Sequence, residues 1–165
     1  MKISTARFGE INIADEEIIE FANGLLGFEK FNRYVILNTE DGSPFRWMQC
    51  VDDGDLAFVL IEPLAFMFEY DLEIDDSDVT HLGLEAAEDA VLFAIVTIPE
   101  IAQEMTANLQ GPVVINAKLR KGRQVISNNQ KHPIKARILE EMAKRAKRIQ
   151  EIEEAQNSDR QEDEG

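Results

Sequence analysis

The chain has 165 residues, 44% of them apolar, one cysteine and a formal net charge of −15. That suffices for one globular domain with a core of its own, while no apolar run is long enough to span a membrane. A lone Cys50 excludes an internal disulfide, and a field of this sign opposes a phosphate chain and favours a basic protein partner.

The chain begins directly with strand-like alternation and no apolar leader, so a cytoplasmic location is expected. Ile3 and Thr5 alternate with Lys2 and Ser4, Gly9 interrupts, and Ile11 and Ile13 follow, which predicts a hairpin. Residues 34–37 read as a buried strand. Residues 40–44 read as a turn, in which Gly42 supplies unusual φ and Pro44 ends pairing. Residues 45–51 form the next expected strand, 52–55 a second turn, and 56–61 a strongly apolar strand closed by Pro63. Residues 64–68 either join the core or form an exposed apolar lip. Asp75 to Asp78 offer caps for a short helix through Leu82, ended by Gly83.

Residues 90–98 are the longest apolar run, the candidate central strand, and Pro99 ends it. Residues 106–109 and 111–116 read as two strands, followed by a basic turn at 118–123 and a returning strand at 124–126. From Pro133 the period becomes helical. Ile134, Ile138, Leu139, Met142, Ala146, Ile149 and Ile152 share one face at about 100° per residue. Arg137, Lys144, Arg145, Lys147 and Arg148 lie mostly opposite, with Lys135 inside the apolar stripe. Residues 156–165 have nothing to bury and are expected to be disordered. The fold class is therefore mainly β: a small single-domain β-barrel-like or roll fold with a few short helices and a C-terminal amphipathic helix. The expected organisation is a barrel-like domain over 1–132, the helix over 133–155 and an acidic tail over 156–165.

Charge is unevenly placed. Residues 1–117 carry 5 Lys+Arg against 23 Asp+Glu, residues 118–148 carry 11 against 2, and residues 40–89 hold 15 acids with only Arg46 opposing them. No reactive constellation accompanies this charge. Cys50 has only His81 and His132 as conceivable bases and sits in an apolar strand, where an inert core thiol is the commoner case. The two histidines lack a thiolate pair or third ligand for zinc. Asp52-Asp53-Gly54-Asp55 and Asp75-Asp76-Ser77-Asp78 read as a turn and a helix cap, without the spacing of a calcium loop. Neither an enzyme, a metal nor a cofactor is expected. The alternative is an RNA-binding module using the basic 118–148 stretch. That stretch contains no Phe, Tyr or Trp on which bases could stack, so a helix docking its apolar stripe is the preferred reading.

Several blocks occur together. Phe21-Ala22-Asn23-Gly24-Leu25-Leu26-Gly27-Phe28-Glu29 precedes the strand at 34–37, and Ser43-Pro44-Phe45 leads to Trp47-Met48-Gln49, Val51-Asp52-Asp53 and Asp55-Leu56-Ala57-Phe58. Met105-Thr106-Ala107-Asn108-Leu109, Pro112-Val113-Val114-Ile115-Asn116 and Gly122-Arg123-Gln124-Val125 follow in order. Over residues 1–135 the chain thus resembles the FliW family of flagellar assembly factors. The resemblance implies a compact β-barrel-like fold that binds CsrA, a small basic RNA-binding dimer, and relieves its repression of flagellin translation. It also implies binding of flagellin, so that flagellin level is coupled to translation. It implies no direct contact with nucleic acid or membrane, and the chain itself is expected to be monomeric.

The acidic 40–89 stretch suits CsrA. Asp52, Asp53 and Asp55, and Glu69, Asp71 and Glu73, are the candidate contact carboxylates. Met105 and Asn108 either line a partner surface or hold a bend. Phe45 and Trp47 are interface anchors or core residues, core being favoured for Trp47. The chain departs from the family pattern at Ala22, Leu26 and Gly54, where the family often has proline. Each change is expected to loosen a turn by about 0.4–1 kcal/mol without altering the fold. The helix after Pro133 is longer than the family's usual end.

Overall fold

A computed structural model describes residues 1–38 and 42–159 in full and the backbone of 160–164; the expected turn at 40–44 falls partly outside these residues. The elements, in chain order, are β1 (Lys2–Thr5), β2 (Gly9–Asn12), β3 (Ile19–Glu20), β4 (Arg33–Asn38), β5 (Phe45–Cys50), β6 (Ala57–Ile61), α1 (Asp76–Leu82), β7 (Ala90–Thr97), β8 (Thr106–Asn116), β9 (Lys121–Gln124), β10 (Ala136–Arg137) and α2 (Ile138–Glu164). The strands run β10-β8-β7-β6-β5-β4-β3-β9, and β9 returns to β8, so β3 to β9 close a seven-stranded barrel among the described residues. All these pairings are antiparallel except β3 with β9. Closure works because β8 is 11 residues long. Its start carries β10 at Thr106 and Ala107, and its end carries β9 at Val113 to Asn116.

Period-two alternation sorts the strand residues. Tyr34, Met48, Cys50, Leu60, Phe93, Val113 and Ile115 fill the barrel, with Phe21 and Leu25 from the loop after β3 packed among them. Their neighbours face outward and are covered by three lids. The β1–β2 hairpin lays Ile3 and Ile13 on Val35 and Val51. Phe66 and the start of α2 cover Ile61, Val96 and Leu109. Leu82 of α1 and the extended chain at Leu72 and Ile74 cover Val114, Val125 and Leu92.

The strands at 106–109 and 111–116 are one bent strand. Asn108 Oδ1 accepts from the backbone N–H groups of Gln110 and Gly111 at 3.0 and 2.9 Å, and the carbonyl of Pro112 accepts from Val125 at 2.9 Å. These bonds carry the chain through a Gly-Pro step that would otherwise end pairing. The C-terminal helix begins at Ile138, not Pro133. The Pro133 carbonyl is engaged by Leu109 N–H at 2.9 Å, and Ala136 and Arg137 are drawn into the sheet. The helix also continues to Glu164, through residues expected to form a disordered tail. Intrahelical backbone bonds do not require an apolar face, and the Glu, Gln and Arg residues there are good helix formers. Ile134 and Leu139 consequently stay exposed, at 58% and 41%, and the docked stripe is narrower than expected.

Residues 64–68 do both things the sequence allows: Phe66 is fully buried, while Leu64 and Phe68 are exposed. Gly54 is not a loosened turn. A Cβ there would lie 2.0 Å from the Ser4 carbonyl oxygen, and Gly54 O accepts from Ala6 N–H at 3.0 Å, so its missing side chain lets the hairpin close on the barrel.

The Tyr34 hydroxyl lies inside the barrel and has no hydrogen-bond partner among the described residues, and burial pushes its pKa well above the ordinary phenol value. An unpaired buried hydroxyl costs free energy that a phenyl ring avoids. Tyr34→Phe is therefore expected to raise unfolding stability by about 1 kcal/mol in urea titration. A loss of stability would show that the hydroxyl is bonded.

Candidate functional site

The long acidic stretch of the sequence is divided by the fold. Asp52 to Asp55 form the turn into β6, beside the β1–β2 hairpin. Glu69 to Glu73 run over β7 and β8, where Tyr70 reaches β8 through a 2.6 Å bond from its hydroxyl to the Leu109 carbonyl. The first group thus belongs to the β5–β6 turn and the second packs against β7 and β8.

They also differ in what answers their charge. Arg33 grips Asp52 with two donors, Nε at 3.1 Å from Oδ2 and Nη2 on Oδ1. That hydrogen bond holds the Asp52 carboxyl below its ordinary pKa, against a smaller desolvation effect. Asp53 Oδ1 accepts from Asp55 N–H at 3.0 Å, and the buried Gln49 amide braces the same turn through the carbonyls of Asp53 and Gly54 at 3.3 and 3.2 Å. Asp52 and Asp53 thus build their turn, and Asp55 is the carboxylate left projecting.

Residues 69–74 alternate as a strand does without pairing as one. Tyr70, Leu72 and Ile74 are half-buried against the barrel wall, and Glu69, Asp71 and Glu73 are exposed. Side chains two apart on extended chain stand about 6.7 Å apart, so the three carboxylates form a row. Among the described residues none of the three is in an ion pair. Glu69 borders a cleft lined by Met67, Phe68, Lys144, Arg145 and Arg148, and Asp71 and Glu73 border one shared with Asn128 and Asn129.

The remaining candidates are tied into the structure. Phe45 and Met105 pack half-buried against the Phe66 cluster, and Asn108 spends its side chain on the β8 bend. Trp47 faces outward from β5 instead of filling the barrel. Phe8 meets its ring edge-on at 5.7 Å, and the Arg7 guanidinium lies 4.5 Å from the ring centroid. Even strand numbers point inward from β5, as Met48 and Cys50 do, so Trp47 takes the other face. The Cys50 thiol is fully buried, and burial pushes its pKa up, away from a reactive thiolate. Ser127 and His132 make a 2.6 Å pair that resembles a nucleophile and base. Ser127 is only 5% exposed, however, and its hydroxyl also accepts from Asn129 N–H at 3.1 Å, so the pair braces a loop. Among the described residues no helix is long and apolar enough to cross a membrane.

Sequence reasoning missed an apolar groove of about 380 Å³ beside the acidic row, lined by Leu72, Ile74, Val79, Leu84, Ala90 and Leu92. The alternation of 70–74 was its signal, but only the fold shows α1 and β7 forming the other walls. The basic face of α2 is partly answered from within. Lys144 lies 3.3 Å from Glu141, Arg137 3.8 Å from Glu140 and Arg148 3.9 Å from Glu151. This argues against a free phosphate-binding surface.

A family profile described as FliW protein matches residues 2–138. The flagellar assembly factor FliW of Leptospira biflexa is 42% identical over 141 residues, covering 85% of this chain and 92% of that protein. Those of Alkaliphilus metalliredigens and Treponema denticola are 43% and 42% identical, covering 87% and 86% of this chain and 90% and 96% of theirs. A crystal structure of the flagellar assembly factor FliW superposes with a TM-score of 0.78 at 36% identity, over 84% of this chain and 96% of that one.

Proposed function

This chain belongs to the FliW family, and on that premise we propose that it binds the regulator CsrA and flagellin, antagonising CsrA's repression of flagellin synthesis in the cytoplasm. In this reading it acts by occupying other proteins and catalyses nothing. Free flagellin competes for it, and export of flagellin frees it to restrain CsrA.

The observation that carries the CsrA half is the outward row Glu69, Asp71 and Glu73, exposed and without ion pairs among the described residues. Unanswered carboxylates steer a basic partner and are screened by salt. The turn at Asp52 is the weaker candidate because Arg33 already neutralises it. Flagellin, in this reading, takes other contacts, for which the apolar groove beside the row supplies surface.

The test is a pair of charge reversals assayed against both partners. Glu69→Lys/Asp71→Lys/Glu73→Lys is expected to weaken CsrA binding by at least about tenfold, mostly through the association rate. Asp52→Lys/Asp53→Lys/Asp55→Lys should cost less affinity, and the wild-type complex should weaken as salt rises. No complex with CsrA in dilute buffer, or full affinity in both variants, would overturn the reading. Retarded RNA in a gel shift, lost on charge reversal in α2, would favour the RNA-binding alternative.

A further inference from the structure

Residues 69–74 are extended but belong to no strand. Tyr70, Leu72 and Ile74 pin one face of the segment to the barrel, yet among the described residues no hydrogen bond reaches the backbone of 69–74. Its N–H and C=O groups are left to water, as on the open edge of a sheet. Two hollows, of about 380 and 300 Å³, lie along this segment. Leu72 and Ile74 border the first, Tyr70 borders the second, and both have Ala90 and Leu92 of β7 in their lining. Ala90 and Leu92 face out of the barrel and are only half-buried, so the hollows join into one apolar trough beside the unpaired chain. The charge around it has one sign. Glu62 and Glu85 border the trough, no Lys, Arg or His among the described residues does, and Glu69, Asp71 and Glu73 project from the unpaired segment. None of these carboxylates is in an ion pair among the described residues.

We propose that the trough takes an extended segment of a partner protein, in which Lys or Arg alternates with Val, Ile or Leu, and that this segment pairs its backbone with 69–74 as an added strand. Alternation lays the apolar side chains on Leu72, Ala90 and Leu92 and turns the cations toward the carboxylate row. Opposed side chains on paired strands stand about 4.5–5.5 Å apart, which sets each cation beside a carboxylate. Other occupants satisfy less of the site. A basic amphipathic helix would cover the apolar floor and leave the backbone of 69–74 unbonded. A second copy meeting the first at this edge would set carboxylate on carboxylate. A nucleic acid would bring phosphates to the same carboxylates. The inference rests on the proposed function only in taking the row as a partner contact, and it adds how that contact is made.

The probe is an end-blocked octapeptide that alternates Lys and Val, added to the full chain, with amide hydrogen exchange followed by NMR. Alternate amides of 69–74 should slow at least about tenfold when the peptide is bound, because only every second N–H faces the added strand. A peptide of the same composition in two blocks, all Lys and then all Val, should bind at least about tenfold more weakly. The alternating peptide should lose as much affinity for Glu69→Lys/Asp71→Lys/Glu73→Lys. No binding of the alternating peptide up to about 1 mM, equal binding of both peptides, or binding that slows no amide of 69–74 would sink the proposal, the last result pointing to a helix or to charge alone. Full-length CsrA separates this inference from the proposed function. CsrA bound while the amides of 69–74 stay open keeps the function and removes the added strand. CsrA ignored while the peptide is held with alternate protection does the reverse.

Discussion

Gly24→Ala is expected to lose at least about 3 kcal/mol of unfolding stability, the sum of a left-handed backbone cost and an overpacking cost. Gly24 has φ +62, and a Cβ there would stand 2.6 Å from both the Glu29 Cα and the Phe28 carbonyl oxygen. Both atoms are backbone and cannot swing aside as a side chain would. They belong to the small turn in which Phe28 N–H donates to Leu25 O at 2.8 Å, and that turn keeps Leu25 in the barrel at 1% exposure. Gly27→Ala is the control. Gly27 has φ +86 but nothing within 4 Å of its added Cβ, so only the conformational cost of about 1–2 kcal/mol applies. Urea denaturation of the two variants gives the comparison, and equal losses would show that the close approach at Gly24 carries no energy.

The second large effect is at the other end of the same loop. Phe21→Ala should cost about 3–5 kcal/mol, because the ring is fully buried and meets Tyr34 edge-on at 5.2 Å. Gly122→Ala should cost roughly 3 kcal/mol through the opposite fault. Its Cβ would fall 2.4 Å from Phe21 Cζ and 2.6 Å from Cε1, where β9 closes the barrel. The two sites are coupled, so the double variant is expected to be more stable than the sum of the single losses by at least about 1 kcal/mol. Strict additivity would mean that Gly122 is glycine for a reason unrelated to the Phe21 ring. The Phe21–Glu29 loop, one of the blocks that carry the family resemblance, thus seals the barrel.

Much of the fold was legible because its signals are local. The β1–β2 hairpin follows from alternation broken at Gly9, which sits at φ +66. The helix α1 ends where Gly83 takes φ +65, and β7 is the long apolar run with partners on both sides. The failures were non-local. Residues 106–109 and 111–116 read as two strands because the bonds that carry β8 through the bend come from the Asn108 side chain and from Val125, which lies 13 residues beyond Pro112. Pro133 looked like a helix start because the sheet that claims Ala136 lies 29 residues back, at Ala107. At the candidate site the acids were visible and their state was not. Whether a carboxylate is free depends on a cation distant in sequence, such as Arg33 for Asp52.

By itself the amino-acid order determined that this protein is a mainly β domain of the FliW kind, with an inert buried thiol, strong acidity and a helical C-terminal segment. Periodicity, turn chemistry and residue blocks are read within a few residues along the chain, and burial then follows from the alternation. Only the tertiary structure decided that β9 closes the barrel on β8, that Trp47 faces out, and that the acidic stretch divides into a neutralised turn and an open row. Closure, burial on a given wall and the pairing of a charge all depend on distances between residues far apart in sequence, and those distances exist only once the chain has folded.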